Sequence, residues 1–397
     1  MSRASVETAP VAERKLASRV DAVSPFLAMD VLSAARSIER AGGDVIHMEL
    51  GEPCSPTPRL VREAAKSVLE IGRIGYTEAL GYLPLRERIA RHYAEAYGVD
   101  VDTGRIVITT GSSAGFILSF LALFEPGSRV AISSPGYPAY RNIFAALGIE
   151  VVPLPLNDAN HWAVTAEAIR LLHAQAPLAG VLTMSPANPT GTVMQQAELA
   201  SLAHCCKELG LWFISDEIYH GLTYEGRAET ALRFDDDIVA VNSFSKYYCM
   251  TGWRVGWLVL PKRAVRAVER LAQNLFIAPP YLSQVAAVAA FDATEELEEI
   301  KAGYAVNRAM LLNELPSLGL GKGPRPDGAF YSYIDVGHLT NDSVAFCRAM
   351  LNEAGVAATP GPDFDPDNGN RFIRLSYAGS QADCREAIRR LKQWLPG

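Results

Sequence analysis

The stretch SFSKYYCMTGWR (Ser243–Arg254) holds one lysine among hydroxyls, aromatic rings and an arginine. A lysine on a solvated face needs no such company. Lys246, between Ser245 and a pair of tyrosines, reads as an amine in a partly desolvated site, where its pKa falls toward that of a usable nucleophile and base. Two other stretches carry matching chemistry: Ala187-Asn188-Pro189-Thr190-Gly191 and Asp216-Glu217-Ile218-Tyr219. A carboxylate, a phenol and a primary amine converging on one site suit an aldehyde cofactor with a basic ring nitrogen, which is pyridoxal phosphate. Lys246 would form the Schiff base, and Asp216 would keep the pyridinium nitrogen protonated so that the ring acts as an electron sink. Asn188 and Tyr219 can both hydrogen-bond the ring's phenolate oxygen. The turn TTGSSAGF (Thr109–Phe116) offers Ser112, Ser113 and free amides at a helix start to a phosphate. Ser243, Ser245 and Arg254 complete that cradle, with a charge-assisted fork from the arginine. Tyr137, in SSPGYPAY, is placed to stack on the cofactor ring.

These residues fall where an open α/β sheet binds ligands, beyond the carboxyl ends of its strands. VAISSP, LAGVLTMSP, LWFISDE, IVAVNSF and VGWLVLP are near-continuous apolar runs, and helical stretches such as AYRNIFAALG, AEAIRLLHAQ and QAELASLAHCCKELG lie between most of them. That alternation predicts a mostly parallel sheet covered by helices. Too few residues separate Phe244 from Val255 for a helical crossover, so the strand at Val255 is expected to run antiparallel. After Phe291 the texture changes to a long charged helix (Thr294–Leu315), the strand AFYSYIDV, a helix near Ser343–Ala354, the strand RFIRLSYA and a terminal helix. The expected division is a large cofactor-binding domain over 56–291 and a smaller α+β domain over 292–397, joined by the N-terminal segment 1–55.

Composition bounds the partners. The 397 residues include 37 Lys and Arg against 44 Asp and Glu, a net charge of −7. That balance, without a dense basic cluster, argues against nucleic acid or an anionic membrane and leaves a small molecule as partner. The apolar runs fall short of the roughly 20 residues that span a bilayer. Six scattered cysteines without a CxxC read as reduced thiols, and no HExxH occurs, so no metal site is expected. The polar N-terminus is neither a signal peptide nor a transit peptide, which predicts a cytoplasmic protein. GLGKG near Lys322 lacks the GxxxxGK[ST] spacing and reads as a turn.

The order of ANPTG, DEIY, SFSK and GWRVG resembles the class I/II aminotransferases, fold-type I enzymes of pyridoxal phosphate. The likeness runs from LGEP (Leu50–Pro53) to RFIRLSYA (Arg371–Ala378). It implies a seven-stranded sheet and the site roles given above. It further implies that Arg374 grips the substrate α-carboxylate, that the backbone of Gly51 lines the same pocket, and that Phe330 in GAFYSY lies on its wall. Tyr76 resembles the tyrosine that reaches the phosphate of a neighbouring subunit, so the resemblance implies a homodimer with shared sites. The implied activity is ping-pong transfer of an amino group from an L-amino acid to a 2-oxo acid. A C–S β-lyase, or a cyclopropane-forming synthase, uses the same residues on the same fold and remains open at this stage. A non-catalytic amino-acid-sensing domain is the remote alternative, and the segment before Leu50 is too short for an attached DNA-binding module.

Overall fold

The computed structural model describes residues 14–395. Residues 1–13, part of the polar stretch on which the expectation about targeting rests, and residues 396–397 lie outside them. The chain opens with helix α1 (Leu27–Arg40), a short strand β1 (Ile46–His47), α2 (Arg59–Ile71) and α3 (Leu83–Tyr97). Strands and helices then alternate: β2 (Ile106–Thr109), α4 (Gly111–Leu123), β3 (Arg129–Ser134), α5 (Pro138–Leu147), β4 (Glu150–Pro155), α6 (Ala166–Gln175), β5 (Gly180–Met184), α7 (Gln196–Glu208) and β6 (Trp212–Asp216). Strands β7 (Val239–Ser243) and β8 (Gly256–Val259) follow, then α8 (Lys262–Leu275), α9 (Tyr281–Ala290) and the long α10 (Thr294–Glu314). The last part holds β9 (Tyr331–Asp335), α11 (Ser343–Ala349), β10 (Val356–Ala357), β11 (Thr359–Pro360), β12 (Phe372–Ser376) and α12 (Gln381–Trp394).

Seven strands form the main sheet in the order β2-β8-β7-β6-β5-β3-β4. Strand β8 is antiparallel to both neighbours and the rest pair in parallel. The reversal follows from the short β7–β8 connection, which leaves no room for a crossover helix, and Lys246 sits in that connection. Strands β5, β6 and β7 bury Val181, Leu182, Phe213, Ile214, Val239 and Val241 between helical layers. Each such side chain contributes about 1.5–3 kcal/mol of burial, so the polar residues at the strand ends stand on a rigid support. Local rules agree with the segmentation. Thr165 caps α6 through the Ala168 amide, and Gln195 with Glu198 forms a capping box on α7.

Sequence reasoning passed over β4. Its EVVPLP buries only Val152 and Leu154, with Pro153 and Pro155 exposed. Prolines confine a strand to an edge, and β4 pairs with β3 alone at the sheet's end. Beyond the main sheet, β1 pairs in parallel with β10, tying the N-terminal segment to the last third of the chain. Strand β12 runs between β11 and β9, placing Arg374 opposite Thr359 on one side and Tyr333 on the other.

Candidate active site

A cavity of about 360 Å³ opens at the carboxyl ends of the parallel strands. Strand β6 delivers Asp216 to it and the β7–β8 connection delivers Lys246, while Asn188 and Tyr219 follow β5 and β6. Lys246 Nζ donates to the Gly51 carbonyl at 2.5 Å and lies 5.9 Å from the centre of the Tyr219 ring. Desolvation, with the Arg374 guanidinium nearby, lowers its pKa to about 8. Asp216 is 1% exposed, and burial pushes its carboxyl up to about 7. Its Oδ2 accepts from the Tyr140 hydroxyl and its Oδ1 from the Ile218 amide at 3.0 Å. Tyr140 is a partner of Asp216 that the sequence did not reveal, since a buried tyrosine on α5 looks like core. Tyr137 lines the cavity beside it, its ring edge-on to Tyr140 at 5.3 Å.

One corner of the cavity is built for an anion. Ser112 and Ser113 stand at the start of α4, where backbone amides lack helical partners and the helix dipole is positive. Arg254 is pressed against the same point: a Cβ on Gly111 would lie 2.4 Å from Arg254 Nη2. Among the described residues the guanidinium's only hydrogen bond is to the Thr251 carbonyl at 3.1 Å. A cation held over a helix N-terminus is unfavourable unless an anion sits between them. The backbone of Arg254 is also left-handed, at φ +50°, which costs an ordinary residue roughly 1 kcal/mol. Ser245 lines this corner, but Ser243 does not. Its hydroxyl lies behind, 2.8 Å from Ser245 Oγ and 3.2 Å from the Val255 carbonyl, because β7 ends at Ser243 and Ser245 belongs to the turn that follows.

On the opposite wall Arg374 is 3% exposed. Nη1 donates to Asn188 Oδ1 at 2.9 Å, and Nη2 to the Glu49 carbonyl at 2.5 Å and Thr359 Oγ1 at 3.2 Å. The rings of Tyr331 and Phe364 flank it at 4.4 and 4.7 Å. No carboxylate of the described residues pairs with it, so this buried cation is electrically incomplete. Tyr331, and not Phe330, forms the wall here. Phe330 is turned into the core against Tyr304 and Tyr219, while the Tyr331 hydroxyl meets that of Tyr219 at 2.6 Å. Gly51 is required by this approach, because a Cβ there would lie 2.1 Å from Tyr331 Oη. Tyr76 lines no part of the cavity and is 84% exposed. Of the residues singled out from the sequence, all but Tyr76, Ser243 and Phe330 line this one cavity.

The donor set fits pyridoxal phosphate: an anion corner, a desolvated amine, and a buried carboxyl that holds its proton tightly enough to share it with a ring nitrogen. Among the described residues no group of His, Cys, Asp and Glu could hold a metal ion, and no helix is long and apolar enough to cross a membrane.

Comparisons with known proteins agree. The family model "Aminotransferase class I and II" matches residues 43–391. A valine–pyruvate aminotransferase of Mycobacterium tuberculosis is 48% identical over 378 residues, covering 94% of this chain and 97% of its own. A crystal structure of an aminotransferase from the same organism superposes with a TM-score of 0.94 at 47% identity, covering 97% of this chain and all of the other. The aspartate aminotransferase of Thermus thermophilus with maleate gives 0.89 at 31% identity, over 96% of this chain and 100% of that one. The chain therefore belongs to the class I and II aminotransferases and is a pyridoxal-phosphate-dependent enzyme that transfers amino groups.

Proposed function

We propose that this aminotransferase takes its amino group from a neutral aliphatic L-amino acid and passes it to a small 2-oxo acid in a ping-pong cycle. Valine and pyruvate, named for the Mycobacterium tuberculosis relative, are the first pair to test. One observation carries the choice. The cations lining the cavity are Lys246, Arg254 and Arg374, and each has a task, so none remains for a side-chain carboxylate. The rest of the wall includes Phe26, Ala28, Leu50, Met184 and Ile218, which suit an apolar side chain. The relatives described above are transaminases, and none is a lyase.

In this reading Ser112, Ser113, Ser245 and Arg254 hold the phosphate, with Ser243 bracing Ser245. Asp216 faces the ring nitrogen, kept in place by Tyr140, and Tyr137 lies along the ring. Asn188 and Tyr219 serve the ring oxygen. Pyridoxal phosphate supplies an aldehyde that captures amino groups and a protonated ring that draws electrons from the neighbouring carbon. Arg374 binds the substrate carboxylate and so fixes the direction of the α-carbon's C–H bond. Lys246 Nζ, with a pKa of about 8, is neutral often enough at physiological pH to remove that proton. The Tyr219–Tyr331 hydroxyl pair closes the wall beside Arg374 and keeps water from the reacting carbon.

The same reading divides the chain into a large domain (56–291) and a small one (292–397 with 1–55), and makes the enzyme a cytoplasmic homodimer. Exposed Leu69, Ile71, Ile74, Leu275 and Ile277 support a second copy as cover for this surface. Tyr76, exposed beside Ile74, would then reach the phosphate corner of that copy.

The deciding experiment follows the visible absorbance of the purified holoenzyme as single amino acids are added without any oxo acid. Bleaching by valine, leucine and alanine but not by aspartate supports the proposal. Equally fast bleaching by aspartate refutes the neutral-substrate reading, and ammonia release with the band intact points to a lyase.

A further inference from the structure

Helix α1 starts without a cap of its own, since Phe26 at the cap position offers no side-chain acceptor. Its first amides reach across the chain instead. Leu27 N donates to Asp363 Oδ1 at 3.0 Å and Ala28 N to Oδ2 at 3.2 Å. Asp363 is 1% exposed and lies in the turn that follows β11. From α5, Arg141 Nη2 donates to the Asp363 carbonyl at 2.5 Å, so the turn is fixed from the large sheet's side as well. A carboxylate suits this place, because free amides and a positive dipole end meet there. Both oxygens are in use. An asparagine would turn an N–H donor toward one of the two amides, and a hydroxyl could serve only one of them.

The residues on either side of Leu27, Phe26 and Ala28, line the active-site cavity with Arg374 and Lys246. The Phe26 ring meets Tyr137 edge-on at 6.1 Å. The residue after Asp363, Phe364, places its ring 4.7 Å from the Arg374 guanidinium. Arg374 bonds Asn188, Glu49 and Thr359 and leaves Asp363 to the helix. One turn therefore holds the start of α1 with its carboxylate and the carboxylate-binding arginine with its neighbouring ring.

We propose that Asp363 is a positioning residue for substrate side-chain selection: by capping α1 it sets the distance between Arg374 and the apolar wall formed by Phe26 and Ala28. The inference rests on the neutral-substrate reading, with Arg374 gripping the α-carboxylate. A substrate pinned at Arg374 then presents its side chain to a wall of fixed position. Valine and leucine reach it, while the methyl group of alanine gains little from it.

The test measures kcat and KM of the holoenzyme for alanine, valine and leucine in wild type, D363N, F26A and D363N/F26A. D363N is expected to lower kcat/KM for valine and leucine about tenfold through KM, the discrimination that one or two methylenes supply in an apolar pocket. Alanine should change by less than about twofold, and the double variant should lose no more than F26A alone, because Asp363 acts through that wall. An equal loss for alanine and leucine, or fully additive losses in the double variant, overturns the inference. F26A leaves the cap intact, so if D363N does not fold, a size-blind F26A overturns it just as well. A wild type inactive on all three amino acids refutes the neutral-substrate reading and this inference with it; an active wild type with a size-blind D363N refutes the inference alone.

Discussion

Replacing Arg374 with lysine keeps the charge and removes the fork. The guanidinium is oriented by Asn188 Oδ1, the Glu49 carbonyl and Thr359 Oγ1, and clamped between the Tyr331 and Phe364 rings. Its Nε–H has no partner among the described residues. A lysine ammonium cannot satisfy these acceptors and also meet both oxygens of a carboxylate. Losing one charge-assisted hydrogen bond to the substrate costs about 1.5–3 kcal/mol, or about 10- to 150-fold in kcat/KM. Truncation to alanine leaves the substrate carboxylate in a buried site without its cation, for which about 3–5 kcal/mol is expected. The assay is the rate at which the cofactor's visible band bleaches after mixing with valine, compared with isobutylamine, which is valine without its carboxylate. Arg374→Lys should slow valine and leave isobutylamine near the wild-type rate. If both amines slow by the same factor, Arg374 merely props Asn188 and the cavity wall, and its assignment to the carboxylate is wrong.

Gly51→Ala drives a methyl group into Tyr331 Oη, 2.1 Å away, and displaces the carbonyl that holds Lys246 Nζ. Turnover should fall about 100-fold for a displacement near 1 Å, and adding Tyr331→Phe should restore part of it; no restoration would mean the clash lies elsewhere. Gly111→Ala meets Arg254 Nη2 at 2.4 Å and must hold φ +69°, so titration of the apoprotein with pyridoxal phosphate should show affinity weakened about tenfold or more. Unchanged affinity would remove Arg254 from the phosphate corner. The third concerns pH. Asp216, raised to about 7, keeps in the folded apoprotein a proton that the unfolded chain releases near 3.8. Its contribution to stability is therefore lost as pH rises through about 7, with a slope of at most about 1.4 kcal/mol per pH unit. Urea titrations of the apoprotein between pH 5 and pH 7 should show a steeper fall in wild type than in Asp216→Asn, which keeps the contribution of Glu217, and parallel curves for the two proteins would contradict it.

Much of the site was legible because apolar runs stop where the chemistry begins. Strands buried on both faces must end at the sheet's edge, so Asn188, Asp216 and Lys246 could be brought together without any long-range information. Their partners were not legible in the same way. Whether Phe330 or Tyr331 faces the cavity depends on the phase of a strand, and a shift of one residue reverses the answer. Both are aromatic, so composition cannot choose between them. Ser243 and Ser245 straddle the end of β7, where the alternation of faces stops and the turn decides which hydroxyl enters the cavity. Tyr140 looks like any tyrosine of an amphipathic helix until its hydroxyl is seen against Asp216. The pairing of Asp363 with the start of α1 spans 336 positions of sequence and leaves no local pattern. Tyr76 is exposed and lines no part of the cavity, so its proposed role rests on a second copy of the chain.

Asp216 and Glu217 show that environment and orientation, not residue type, assign the roles. They are adjacent and both 1% exposed, and burial raises both carboxyls, to about 7 and about 8. Glu217 turns away from the cavity and is enclosed by Ser215 Oγ, Thr230 Oγ1 and the Ala231 amide, with His220 Nδ1 3.7 Å away, so its proton is not presented to the cavity. Asp216 faces the cavity with Lys246, whose own pKa desolvation lowers to about 8. An acid raised and a base lowered to within about one unit of each other exchange protonation states at little cost near neutral pH. A basic ring nitrogen held against Asp216 would tip that balance toward a charged pair, and a phosphate bound by Arg254 and the start of α4 would relieve the repulsion there. A perturbed pKa by itself does not distinguish the two carboxyls; an opening onto a site that needs the charge does.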